Sequence, residues 1–87
     1  MISICIPKIE YMIEESYIRN VFRLAKIGKI NRYTELRLKN DKHHKRILMS
    51  IEWNKENAYL CEILKNDRCI QLVHKFPEVW KIYLAKN

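Results

Sequence analysis

A single glycine, two prolines and no long apolar run set the first limits on this 87-residue chain. One glycine leaves nothing from which to build a Gly-rich phosphate loop. No apolar stretch approaches the ~20 residues that a membrane-crossing helix needs, so no membrane partner is expected. Met1–Pro7 lacks a basic leader and a small-residue cleavage site, and a secretory signal is not expected there. Cysteine is scarce and odd in number: Cys5, Cys61 and Cys69. With His43, His44 and His74 they form no CxxC, HxxxH or CxH pair, so zinc is set aside and no metal or cofactor is expected. Three unframed cysteines read as reduced thiols in an intracellular compartment. Catalytic patterns are missing as well. There is no Ser-His-Asp arrangement and no carboxylate pair at a defined spacing, so no enzyme and no catalytic residue is expected.

What is present is an apolar fraction of 48% with an even spread of aliphatics. It suits one folded domain over residues 1–87, near the lower size limit for a core without disulfides or metal. The net charge of +7 is unevenly placed. From Arg19 to Arg46 there are ten Lys/Arg against Glu35 and Asp41, a local balance of +8. The remainder, which includes Lys65 and Lys86, has seven bases and eight acids, a balance of −1. A segregated basic third is the footprint of a polyanion partner.

Along the chain, Ile2, Ile4 and Ile6 alternate with Ser3, Cys5 and Pro7, predicting a strand over 2–7 that Pro7 should end. Ile18, Val21, Phe22 and Ala25 follow helical spacing after Glu14 and Glu15, predicting a helix over 14–26 with Gly28 as its stop. Arg19, Arg23 and Lys26 fall on its polar face. A second strand is expected over 29–38, and "NDKHH" (40–44) reads as a polar turn that includes the His43–His44 pair. In the third strand, 46–53, Ile47, Met49, Ile51 and Trp53 face one way and Arg46, Leu48, Ser50 and Glu52 the other. Asn54 should cap a helix over 55–66 whose core stripe takes Tyr59 or Leu60, then Ile63 and Leu64. "CIQLVH" is a candidate short extra strand, giving a hairpin before the last strand at 79–85. There Trp80, Ile82 and Leu84 oppose Lys81 and Tyr83. The order βαββαβ predicts an α+β domain of ferredoxin-like type, a four-stranded antiparallel sheet with two helices on one face. Ile4, Ile6, Ile18, Phe22, Met49, Ile51 and Leu64 should share its core.

Glu14-Glu15, Ile18, Phe22, Gly28 and Ile30, with "ICIPKI" and "KRILMSIEW", resemble the landmarks of the RNA-recognition-motif (RRM) family over nearly the whole chain. The phrases "IPKIEY", "YIRNVF", "IGKI" and "FPEVWKI" are similar in particular to short RRM-like proteins of large DNA viruses. The Ile, Lys and Asn bias suits such a source. The resemblance implies an open sheet face that binds single-stranded nucleic acid, RNA more than DNA. A viral source would place the protein in the host cytoplasm or nucleus, or in the virion. The departures are specific. The family's three stacking rings are replaced by Cys5, Leu48 and Ser50, and the octamer's glycine by Ile47.

Phosphate contacts are therefore expected to carry binding. The candidate residues are Arg32, Arg37, Lys42, Lys45, Arg46, Leu48, Ser50, Lys81 and Tyr83, with Tyr83 as the stacking ring and His43 and His44 in the cationic rim. Burial is favoured over exposure for Tyr33, and Trp53 and Trp80 read as core. The alternative is a protein-interaction or homodimerisation module that uses the same sheet face.

Overall fold

The computed structural model describes residues 1–85; Lys86 lies outside the described residues. The elements run β1 (Ile2–Glu10), α1 (Glu15–Leu24), β2 (Gly28–Leu38), β3 (Asp41–Trp53), a 3-10 turn (Lys55–Asn57), α2 (Ala58–Asp67), β4 (Cys69–Lys75) and β5 (Glu78–Leu84). All recorded strand pairs are antiparallel, in the order β2-β3-β1-β5-β4. The sheet thus has five strands where four were expected. "CIQLVH" and the following lysine form a full edge strand, because β5 offers it a partner through Ile70↔Ile82 and Leu72↔Trp80. The architecture is α+β and compatible with a ferredoxin-like fold.

Alternation decides which way each strand faces. Ile4 and Ile6 on β1 pair with Met49 and Ile47 on β3, and all four are buried. They join Ile18, Val21 and Phe22 of α1, Leu64 of α2, and Trp80 and Ile82 of β5 in one cluster, so both helices cover the same face. The seven residues expected to share a core are all in that cluster. Trp53 and Tyr33 are only partly buried at its edge, and on α2 it is Leu60 rather than Tyr59 that packs inward. Ile63 is exposed.

Three boundaries differ from the sequence expectation. Pro7 does not end β1. It lies where the register shifts between Ile6 and Ile9, and pairing resumes at Ile9↔Lys45. A proline has no amide hydrogen to donate, and a bulge absorbs that loss without ending the strand. The turn expected at 40–44 is confined to Lys39 and Asn40, and His43 and His44 belong to β3. His44 accepts no solvent-loop freedom there, since its Nδ1 lies 2.8 Å from the Asp41 carboxylate.

Gly28 is not the residue that turns α1. Lys26, with φ 55°, takes the left-handed position, and Gly28 opens β2 opposite Trp53. A Cβ on Gly28 would stand 2.3 Å from the Glu52 carbonyl oxygen, and its φ of 152° suits glycine alone. The glycine therefore permits close β2–β3 approach.

Candidate nucleic-acid interface

The face that no helix covers is assembled by cross-strand register. One row runs across all five strands as Thr34, Leu48, Cys5, Tyr83 and Cys69. A neighbouring row places Arg32, Ser50 and Ser3 side by side. On the other side, Leu36 pairs with Arg46 on the β2–β3 half, and Lys81 with Gln71 on the β4–β5 half.

The centre of this face is small and neutral. Cys5 and Leu48 are half-buried. Burial pushes the Cys5 thiol up from its ordinary pKa, and the nearby Arg46 charge only partly opposes the shift. Tyr83 is the one ring in the central row and stays exposed. Ser50 has the orientation expected, but its hydroxyl oxygen is covered and without a hydrogen-bond partner. As it stands, that oxygen is not presented to a ligand.

Three of the expected cations surround this centre. Arg32, Arg46 and Lys81 are exposed, and among the described residues none of them makes an ion pair or a side-chain hydrogen bond. Their positions are available to phosphate oxygens.

The other expected cations are elsewhere. Lys45 lies on the helix side of β3 and is buried at 4% exposure. Its ammonium donates to the Ile13 carbonyl at 2.6 Å and to the Glu35 carboxylate at 3.0 Å, and stands over the Tyr11 ring. It is a structural cation, and the octamer-like "KR" pair is split between the two faces. Arg37 pairs with Lys45 across β2–β3, and so also falls on the helix side. The reason is the bulge between Ile30 and Arg32, which puts Arg32, Thr34 and Leu36 on the open face and Tyr33, Glu35 and Arg37 on the other. Arg37 and Lys42 line a cleft of about 470 Å³ at the hairpin end, with Tyr11, Lys39 and His44. They are exposed but not part of the central array.

Glu35 links these groups. Burial alone would raise its pKa, yet hydrogen bonds from Tyr33 at 2.7 Å and from Lys45 outweigh it and hold the carboxyl below its ordinary range. Burial, together with the Glu35 hydrogen bond, drives the Tyr33 phenol well above that of free tyrosine. At the hairpin, the hydrogen bond with His44, helped by the His43 amide, lowers the Asp41 pKa.

Sequence reading omitted a second basic surface from the candidate site. Arg23, Lys26, Lys29 and Lys55 line a groove of about 820 Å³ between the end of α1 and the β2–β3 edge. The helical spacing of Arg23 and Lys26 was visible, but nothing local brings Lys55 beside them. Comparison with protein-family models, with curated proteins and with solved structures gave no match.

Proposed function

We propose that this chain is a small RRM-like module that binds single-stranded nucleic acid, RNA in preference, mainly through phosphate contacts on its open sheet face. The observation that carries the reading is the set of exposed cations Arg32, Arg46 and Lys81 around the Leu48–Cys5–Tyr83 strip, none of them ion-paired among the described residues. The strand order supports the family resemblance: β1 and β3 are central, β2 and β5 flank them, and β4 is one added edge.

Magnitudes set the expected character. A phosphate contact with a single strand adds about 0.7 to the salt slope, or about fivefold in affinity at 0.1 M salt. Three contacts then supply about 3 kcal/mol at that salt, while one engaged ring supplies ~1–3 kcal/mol. Binding should be modest in strength, weakly selective for sequence and strongly dependent on salt. The proposed role is that of a binding module rather than an enzyme, in an intracellular setting, whether host or virion.

A second reading has its own support. Leu36, Val73 and Val79 are exposed beside Leu48 and Tyr83 on the same side of the sheet. That apolar share favours a protein partner or a second copy on this face. Titration with single-stranded RNA at two salt concentrations, beside a measurement of solution mass, separates the readings. Phosphate binding gives a monomer whose affinity falls steeply with salt. An apolar interface gives a larger mass that salt does not reduce.

A further inference from the structure

The groove at the β2 edge differs from the sheet face in what surrounds its charge. Arg23, Lys26 and Lys55 have no ionic partner among the described residues, and Glu52 is the one carboxylate in the lining. Lys29 stands opposite Glu52 in the β2–β3 register. Arg19 is already engaged by Glu15 at 2.7 Å and by the Ile30 carbonyl at 3.3 Å. Three cations without an ionic partner therefore remain after the local carboxylate is matched, although Arg23 also donates to the Asn20 side-chain oxygen.

A helix C-terminus is normally a poor neighbour for an anion, because its free carbonyls carry partial negative charge. Here the backbone N–H groups of Ala25, Ile27 and Lys26 donate to the Val21, Phe22 and Arg23 carbonyls at the helix end, and the carbonyls of Ala25, Lys26 and Ile27 are covered as well. The Asn57 side chain donates to the Ala25 carbonyl at 3.0 Å and to the Lys26 carbonyl at 2.7 Å. The Asn54 amide donates to the Ile27 carbonyl at 2.8 Å. The same contacts draw the 3-10 turn, and with it Lys55, toward the end of α1. Trp53 and Ile30 supply the apolar side chains of the lining, and the Trp53 indole N–H donates to the Asn57 carbonyl at 2.8 Å. The groove also meets the open face, since Lys29 and Glu52 belong to both.

We infer that this groove is a second phosphate-binding site, which takes the backbone of a nucleic-acid strand where it passes over the β2 edge. The inference rests on the nucleic-acid reading above and extends its footprint beyond the sheet. A short strand occupies the open face alone. A longer one continues into the groove and is held by Arg23, Lys26 and Lys55.

The test compares two probes, single-stranded oligouridylates of about four and about twelve nucleotides, lengths that span the usual site sizes for single-strand binders. Two variants of equal net charge are used: Arg23→Gln with Lys55→Gln, and Lys65→Gln with Lys75→Gln as the control. All four positions are exposed, and far-UV circular dichroism with thermal melting checks the folds. On the longer probe, the groove variant should lose about 25-fold in affinity at 0.1 M salt and about 1.4 units of salt slope. On the shorter probe it should stay within about twofold of the parent, as the inference places no phosphate in the groove there. Equal behaviour of the groove variant and the control on the longer probe overturns the inference. Failure of the parent to bind either probe overturns both the inference and the function on which it rests. If Arg32→Gln, Arg46→Gln and Lys81→Gln together leave both probes unaffected while the groove variant loses the longer one, the sheet-face assignment fails and the groove stands.

Discussion

The Lys45 ammonium lies 3.0 Å from the Glu35 carboxylate beneath the sheet, whereas the next residue, Arg46, is exposed on the opposite face. Two adjacent bases thus have different work. Lys45 donates to the Ile13 carbonyl inside the fold and to the Glu35 carboxylate at its margin. Among the described residues Arg46 has no ion pair or side-chain hydrogen bond, and it stays available to a ligand.

Neutralising the two residues separately should expose this division. Lys45→Gln is expected to lower stability by about 1–3 kcal/mol, since it leaves the Ile13 carbonyl without its donor and removes the cation beside the exposed Glu35 carboxylate. At temperatures where the variant is folded, its nucleic-acid affinity should be near that of the parent. Arg46→Gln should leave stability within about 0.5 kcal/mol, as befits an exposed side chain with no ion pair among the described residues. Its affinity should fall about fivefold at 0.1 M salt. Denaturant melts paired with binding titrations measure both quantities.

Acid should act through Glu35 in this network and through Asp41 at the hairpin. The Glu35 and Asp41 carboxyls are held below their ordinary range in the fold. A depressed folded-state pKa adds stability above the unfolded value, near pH 4, and that stability is lost as pH falls through the folded value. The parent should therefore lose stability progressively below about pH 5. Glu35→Gln should start less stable at neutral pH and show a shallower decline on acidification. Urea melts from pH 7 down to pH 3 test this, and parallel declines would remove Glu35 from the account.

Leu48 offers the missing platform back. It occupies the central row between Thr34 and Cys5 and is half-buried, whereas the Ser50 hydroxyl oxygen is covered. Leu48→Phe should tighten single-strand binding by ~1–3 kcal/mol if a base reaches the ring. Should the face instead be packed against a second copy, the added ring would overfill the interface and lower the solution mass. RNA affinity and mass, measured on the same sample, separate the outcomes.

The alternation of apolar residues made most of the fold legible. It oriented β1, β3 and β5 correctly, so the open-face positions of Leu48, Ser50, Lys81 and Tyr83 followed directly. Helical spacing likewise identified Ile18, Val21 and Phe22 as the inner stripe of α1. What alternation could not supply was β2, whose bulge between Ile30 and Arg32 inverts the facing of the residues from Arg32 to Arg37. That single inserted position moved Arg37 off the open face. Lys45 precedes the strand expected over 46–53, so the alternation of that strand did not assign it a face. Burial of its ammonium depends on Glu35 and Ile13, both remote in sequence. The groove was illegible for a similar reason, because Asn57 joins the α1 C-terminus to the 3-10 turn across some thirty residues.

The most direct test of phosphate-led binding is the salt dependence of single-stranded RNA affinity, measured for the parent beside Arg32→Gln, Arg46→Gln and Lys81→Gln combined. The parent should give a straight line of log affinity against log salt, and the triple variant a line shallower by about two units. It should also bind about 100-fold more weakly at 0.1 M salt. Parent and triple-variant lines of equal slope, at equal affinity, would contradict the claim that these three cations hold the nucleic-acid backbone.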